Sequence, residues 1–561
     1  MKIVVDPITR IEGHLRIEAE ISSGRVTDAW SSSPMFRGIE TVLAGRDPRD
    51  AWVFTQRICG VCTTVSALAS VRAVENALGI TIPDNARIIR NLMEATQYVH
   101  DHVVHLYHLH GPDWIDLTSA LTADPAAASR LQRSLSGWTN NSPEYFATVK
   151  AKLQAFVDSG QLGLFANAYW GHPAYTLSPE SNLVLMAHYL EALDWQREFV
   201  KIHAILGGKN PHPQTYLVGG MATALDPAGA NALNDTSVAM LRVLAKQIRT
   251  FVEQVYVPDL LHLGREYRPW TSVGRGPGNL LCYGDFPGRD GRPLMPSGVL
   301  RGRSLNRLEA LDQRRITEDV TRSWYAQGDP LHPSVGVTEP VYTGPTPPYD
   351  ALDTAARYSW SKAPRYGNAV MEVGPLARMA VAYAARVPRA RQLVDGALRS
   401  LRIPASGLFS TVGRMVTRAL ETQWLAEQLG GWLDELAGNM AAGDLAVTDN
   451  AKWLPASWPA TATGFGLTEA PRGALGHWVS IENGTISRYQ IVIPSTWNGS
   501  PRDGAGRRGA WEHALVGTPV ADASRPLEVL RVVHSFDPCM ACAVHVVDAE
   551  SGASTEITVV P

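Results

Sequence analysis

Gln56-Arg57-Ile58-Cys59-Gly60-Val61-Cys62, close to the start, and Asp537-Pro538-Cys539-Met540-Ala541-Cys542, close to the end, contain four of the chain's five cysteines in two Cys-x-x-Cys pairs. Cysteine is scarce in these 561 residues, so the paired spacing points to a single four-thiolate site. Thiolates select zinc, iron-sulfur clusters or other soft transition metals. A shared site requires the two ends of the chain to meet over everything between them. That requirement shapes the expected fold.

The rest of the composition is ordinary for a soluble protein: 45% hydrophobic and 19% charged residues, enough to bury a large core and divide into two to four domains. With 51 Lys+Arg against 54 Asp+Glu, the formal charge of -3 offers no general attraction for nucleic acid or an anionic membrane. No apolar run reaches about 18 residues, and the N-terminus lacks the apolar core of an export signal, so neither a membrane span nor a signal is expected.

Polarity alternates from Leu15 to Ile21 and from Arg25 to Trp30 around Ser22-Ser23-Gly24, which predicts a hairpin. Ala67 to Leu78 has helical spacing, and Asp84 is placed to cap a longer helix running to about His110. Further helices are expected over Asn182 to Leu206, Asn234 to His262 and Ser410 to Gly438, the last with Leu420, Trp424, Leu425 and Leu429 on one side. Arg268 to Pro348 is dense in Gly and Pro and reads as irregular loop with short strands wrapping the helices. Asn483-Gly484 between two alternating runs predicts a second hairpin.

The expected fold class is therefore multidomain α+β: an α-rich helical-bundle core with small α+β units formed by the N- and C-terminal segments. The divisions fall at 1–66 (first cysteine pair), 67–265 (helical core), 266–374 (Gly/Pro-rich wrap), 375–445 (helical core continued), 446–545 (second cysteine pair) and a terminal 546–561.

For an anonymous set of four cysteines, structural zinc is the plain reading. Acidic, basic and imidazole residues crowd both pairs here, as in a site that moves protons, and favour chemistry. His100, His102, His105, His108 and His110 share one predicted helix and resemble a metal ladder, although histidines of a long core helix more often satisfy hydrogen bonds. Cys282, outside both pairs, reads as a buried apolar filler.

Arg37-Gly38-Ile39-Glu40, followed after fifteen residues by the first cysteine motif, resembles the first signature of nickel-iron hydrogenase large subunits. Asp537 to His545 is similar to the family's second signature and Asp6 to His14 to its N-terminal motif. Gly207 to Pro213, Met371 to Arg378 and Thr468 to Trp478 extend the resemblance, which is greatest to the respiratory uptake, membrane-bound type. It implies a nickel-iron centre with carbon monoxide and cyanide on the iron, Cys59 and Cys539 binding nickel terminally and Cys62 and Cys542 bridging. Soft, basic thiolates suit the heterolytic cleavage of dihydrogen because one ligand can also take the proton. The resemblance carries the proton to Cys539 or Arg472 and then to Glu12. It makes Pro471 and Arg472 a roof over the metals, Asp101 and Asp537 the carboxylates that hold the guanidinium, and Ser495 a partner for a cyanide. Glu40, His545 and a backbone carbonyl near Ile491 match a second cation site, usually magnesium.

One position departs from the pattern. Four residues after Cys62 the family carries a histidine that donates to a bridging sulfur, and this chain has Ser66. An altered redox potential or oxygen response follows, with assembly intact. Val546 to Pro561 resembles the extension that a dedicated endopeptidase removes after nickel-insertion proteins have loaded the site. With the paired cysteines committed, electrons require an iron-sulfur small subunit. The resemblance adds a membrane cytochrome b reached through that subunit and places the pair on the periplasmic face of the cytoplasmic membrane, the precursor being cytoplasmic. His212, in a loop that approaches the partner in the family, is given no catalytic role. The competing readings are a hydrogen-sensing regulatory subunit and a non-catalytic structural subunit with zinc on four cysteines.

Overall fold

A computed structural model describes residues 1–162, 165, 169–346 and 349–540. Cys542, His545 and the 546–561 segment lie outside these residues. The N-terminal unit is an antiparallel meander of β1 (Lys2–Val5), β2 (Arg16–Ser22) and β3 (Arg25–Ser32). Ser23 and Gly24 both have positive φ, which gives the tight β2–β3 turn that the Ser-Ser-Gly run predicts. Ile17, Ala19, Ile21 and Val26 turn inward to the core. The hairpin is as expected, and β1 adds a strand the alternation did not reveal.

The main helices are α1 (Val65–Leu78), α2 (Asp84–Val104), α3 (Pro179–Phe199), α4 (Asp235–Phe251), α5 (Val257–Glu266), α6 (Pro375–Ala384) and α7 (Thr411–Ala441). At its centre α7 lies against α2, α4, α5 and α6 and buries Leu420, Trp424, Leu425 and Leu429. Ser410 caps it, its hydroxyl accepting from the Gly413 amide at 3.0 Å, and Asn234 caps α4 in the same way. Asp84 is not a cap. Pro83 holds that position, and the Asp84 carboxylate is used instead by Arg87 at 2.7 Å and by Arg289. Three expected helices are also interrupted: α2 passes into a π-turn at His105–His110, α3 ends at Phe199 before a short helix Lys201–Gly207, and a π-turn at Val252–Tyr256 separates α4 from α5. The Gly/Pro-rich region forms short pairs, such as Leu280–Cys282 with Gly298–Leu300.

The C-terminal sheet is β4 (Thr461–Ala470), β5 (Gly473–Glu482) and β6 (Thr485–Val492), antiparallel in that order, with Asn483 and Gly484 at positive φ in the predicted turn. β4 was not apparent from the residue pattern. Its two glycines let α1 lie directly on it: a Cβ at Gly466 would fall 2.0 Å from the Ala69 carbonyl, and one at Gly464 2.5 Å from that of Ala73. Ala69, Ala73 and Ala77 recur every four residues on α1, and it is the helix backbone at these positions that the strand glycines meet.

This contact ties the cysteine loop before α1 to the β4–β5 turn, where Pro471 and Arg472 sit between the paired Ala470 and Gly473. The far end of the chain arrives through α8 (Leu527–His534), and Cys539 then forms an isolated parallel bridge with Glu12, the Met540 amide donating to the Glu12 carbonyl at 2.6 Å.

Candidate metal centre

Cys59, Cys62 and Cys539 converge within an apolar shell of Val65, Ala69, Ala470, Leu475 and Ile493. Their sulfurs all lie within 4.8 Å of one another, Cys539 standing 3.4 Å from Cys59 and 4.0 Å from Cys62. These separations exceed the ~2.05 Å of a disulfide and suit several sulfurs around one soft ion. The Cys62 amide, 3.1 Å from the Cys59 sulfur, favours an anionic sulfur there. Arg37 steadies the approach to the pair through the carbonyls of Arg57 and Ile58, at 2.8 and 2.7 Å.

Arg472 is buried beside the sulfurs. One nitrogen donates to Asp101 at 2.9 Å and another to Asp537 at 3.0 Å. Burial opposes its charge, but Asp537, the sulfur of Cys539, Asp101 and the sulfur of Cys62 outweigh that and hold the guanidinium firmly protonated. For Asp537, burial prevails over the arginines and raises the carboxyl. Arg472 Nε and Asp537 Oδ2 are buried and have no partner among the described residues, leaving a donor and an acceptor close to the thiols. Pro471 is fixed through its carbonyl, which accepts from Arg378 at 2.7 Å.

Glu12 is half-buried. Burial raises its carboxyl, the Cys59 sulfur adds to the rise, and Arg472 and Arg37 draw it back. A carboxyl shifted toward neutral pH can take and release a proton. Ser495 accepts the Cys539 amide at 3.0 Å, so its own hydroxyl proton can be donated elsewhere. Ser66 is buried in the first turn of α1.

Glu40 follows Gly38, whose positive φ starts a short helix. Its carboxylate accepts from the Ile491 amide at 2.8 Å and from the Thr338 hydroxyl, and the Lys362 ammonium lies 3.5 Å away. A cation here would share Glu40 with Lys362.

The histidine run is not a metal ladder. His102 meets Glu421 at 2.7 Å, while His105, His108 and His110 meet the carbonyls of His534, Tyr189 and Arg531. Burial lowers the pKa of His102 to about 4 and holds His105 and His110 well below the usual imidazole range. Among the described residues, Cys59, Cys62 and Cys539 are the one group of three or more side chains spaced to hold an ion. Cys282 is buried in the core as an apolar filler, and His212 packs toward Gly60, its amide bonded to the Thr63 hydroxyl.

Two supporting residues had been given no role: Gln97 lies outside every motif, and Arg378 closes the Met371–Arg378 motif. Gln97 donates to the Val61 carbonyl at 2.8 Å and to Asp101 at 2.6 Å, joining the cysteine turn to the arginine clamp. Its place one turn before Asp101 on α2 was the available signal. Arg378 grips the carbonyls of Ala470 and Pro471 while its other contacts go to Glu421 and Glu469, all buried.

A model described as nickel-dependent hydrogenase matches residues 37–545, and one described as HoxL-like matches 2–31. An uptake hydrogenase large subunit from Rhizobium leguminosarum bv. viciae is 48% identical, covering 100% of this chain and 97% of the relative. A hydrogenase-1 large chain from Escherichia coli (strain K12) is also 48% identical, covering 97% and 95%. Among solved structures, the Ni-Fe-Se hydrogenase from D. vulgaris Hildenborough in the reduced state superposes with a TM-score of 0.77 at 35% identity, covering 97% of this chain and 100% of that one.

Proposed function

This chain belongs to the nickel-dependent hydrogenase family as a large catalytic subunit, and from that premise we propose that it oxidises dihydrogen at a nickel-iron centre held by Cys59, Cys62, Cys539 and Cys542. When bound, that centre, with carbon monoxide and cyanide on its iron, supplies the electrophile that polarises dihydrogen. The observation carrying the reading is the convergence of three buried cysteine sulfurs under an arginine clamped by two carboxylates. A purely structural zinc site would need no such clamp.

In this reading the sulfur of Cys539 accepts the proton, and Arg472, unable to lose its own charge, keeps a fixed positive field over the sulfurs. Asp101 and Asp537 prevent the guanidinium from swinging away. Glu12, joined through its backbone to the Cys539 strand, takes the proton onward because its raised carboxyl can hold one. Ser495 offers a hydroxyl donor to a cyanide, and Pro471 closes the roof. Magnesium beside Glu40, the Ile491 carbonyl and His545 belongs to the same reading, supported by the partly buried Glu40 carboxylate.

Electrons leave through an iron-sulfur small subunit, since the paired cysteines are committed and Cys282 is enclosed in the core. Among the described residues no helix is long and apolar enough to cross a membrane. The reading therefore reaches the membrane through the small subunit and a cytochrome b on the periplasmic face. It also assigns maturation to nickel-insertion proteins and an endopeptidase acting on the 546–561 segment. An infrared spectrum of the purified heterodimer tests the centre. Sharp carbon monoxide and cyanide stretches are expected, and their absence from a mature, metal-containing sample would overturn the assignment in favour of zinc.

A further inference from the structure

A second tie between the ends of the chain stands beside the Glu12–Cys539 bridge, and it is built around Asp113. This residue closes the short turn that follows the His105–His110 π-turn, and it is buried. One of its carboxylate oxygens accepts from the guanidinium of Arg10, two residues before Glu12. The other meets Nδ1 of His534, five residues before Cys539, at 2.6 Å. His534 Nε2 reaches the Thr9 carbonyl at 2.9 Å, so its ring spans from the N-terminal motif to Asp113. Around this pair the grip is repeated by backbone: Arg10 also donates to the Leu109 carbonyl, the Asp113 carbonyl accepts from Arg531 at 2.7 Å, and His105 meets the His534 carbonyl at 2.7 Å. Asp113 lies outside every motif.

The two strands need such a hold. Arg10 and Asp537 both have positive φ, 56° and 57°, a conformation that a residue with a Cβ keeps only where its surroundings impose it. They flank the bridge on its two sides, Arg10 preceding Glu12 by two residues and Asp537 preceding Cys539 by two. The hydrogen bond from the Met540 amide to the Glu12 carbonyl joins the strands close to the sulfur and leaves them free to turn about it. Asp113 adds a second point of attachment upstream, and two points fix an angle. Burial opposes the charge of Asp113, but Arg10 and then His534 outweigh it and hold the carboxyl well below its ordinary range, so both oxygens remain acceptors.

We propose that Asp113 is a positioning residue for dihydrogen oxidation: by holding Arg10 with one oxygen and His534 with the other, it sets the approach of the Glu12 carboxyl to the Cys539 sulfur. The inference rests on the reading above. The step it governs moves one proton from the Cys539 sulfur to a Glu12 carboxylate oxygen, while Asp113, Arg10 and His534 end with the protons they began with.

The test uses the metal-loaded heterodimer with Asp113→Asn, Arg10→Lys and, as a control, Asp503→Asn. Asp503 is an equally buried carboxylate, shared by Arg365 at 2.7 Å and Arg507 at 2.8 Å rather than by the two strands. Asp113→Asn should lower kcat for dihydrogen oxidation about tenfold with KM unchanged and raise the solvent isotope effect, because a misplaced carboxyl makes the proton step the slow one. The carbon monoxide and cyanide bands should not move. In the absence of turnover, the Met540 amide should exchange with heavy water at least about tenfold faster, since its bond to Glu12 opens more often. Arg10→Lys, whose ammonium lacks the fork that serves Asp113 and the Leu109 carbonyl together, should show the same pattern, so failure of Asp113→Asn to fold leaves it to decide. Asp503→Asn should lower the melting temperature and leave kcat, isotope effect and Met540 exchange as they are. Unchanged kcat and isotope effect in whichever of the two bridge variants folds, or equal losses in Asp503→Asn, would overturn the proposal. Missing carbon monoxide and cyanide bands in the unmodified enzyme would instead remove the reading beneath it.

Discussion

Arg472 and Asp537 meet at 3.0 Å with both side chains withdrawn from water, and Asp101 completes the clamp from α2. The guanidinium is therefore held by two elements far apart in sequence. Its planar fork can serve both carboxylates at once, a geometry an ammonium lacks. Arg472→Lys should retain nickel, measured by metal analysis, and lose turnover by about 10²-fold, the scale of one preorganised polar donor. Leaving one buried carboxylate unpaired should also cost ~3–5 kcal/mol and lower the melting temperature. Unchanged hydrogen oxidation would exclude Arg472 from the chemistry.

Glu12 holds Met540 through its backbone carbonyl, so its side chain can be changed without breaking the bridge to the Cys539 strand. Glu12→Gln should keep the metals and their infrared bands while hydrogen oxidation drops by about 10²–10⁴-fold, the usual weight of a positioned acid or base. Full activity would remove Glu12 from the proton route.

Glu469 is buried against Arg378 and Tyr283, and burial raises its carboxyl to about 7. A folded pKa above the unfolded value means the folded chain binds the extra proton, so the stabilisation is complete below about 4.5 and is lost as pH rises through 7. Glutamine cannot titrate. The melting-temperature difference between the unmodified heterodimer and Glu469→Gln should therefore move steadily against the unmodified protein from pH 5 to pH 8. A constant difference over that range would contradict the assignment.

Gly466→Ala would place a methyl group 2.0 Å from the Ala69 carbonyl, where neither backbone can give way cheaply. A destabilisation of about 1–3 kcal/mol or more is expected from thermal unfolding, with reduced nickel content because α1 carries the cysteine turn. Gly430→Ala in α7 meets nothing within 4 Å and should stabilise by up to about 1 kcal/mol. Similar melting temperatures for the two variants would sink this account of the α1–β4 contact.

Ser66, one helical turn past the Cys62 loop, offers a short neutral hydroxyl. Ser66→His should assemble normally and change the rate of inactivation by oxygen, followed as hydrogen oxidation before and after exposure. Identical inactivation in the two proteins would mean that position 66 does not tune the sulfurs.

The cysteine pairs were legible because rare residues at fixed spacing carry their own chemistry, whereas Glu12 and Arg472 were singled out only by the family resemblance. Long helices were legible for a similar reason: Ser410 and Asn234 announce their starts, and apolar periodicity runs on from them. β4 was obscured because Gly464 and Gly466 weaken a strand pattern, and only the neighbouring helix explains why they stand there. Asp84 resembled a cap and lost the role to Pro83, since its carboxylate is claimed by Arg87 and Arg289, the second 205 positions away. Gln97 acts on the Val61 carbonyl, 36 positions away, and a common polar residue gives no local sign of that. The two π-turns leave no distinctive residue pattern either.

The bridge between Glu12 and Cys539 also imposes a chronology. A ribosome delivers Glu12, Cys59 and Cys62 hundreds of residues before Cys539, so the early sulfurs wait in an unfinished half-shell. Contacts this distant in sequence are slow to form because a very long loop must first be closed. The hydrogen bond from the Met540 amide to the Glu12 carbonyl, which joins two segments made far apart in synthesis, thus acts as a clasp in time as well as in space. Until it shuts, the nascent cysteine turn is reachable from outside, and afterwards the same sulfurs are buried with Cys539 beside them.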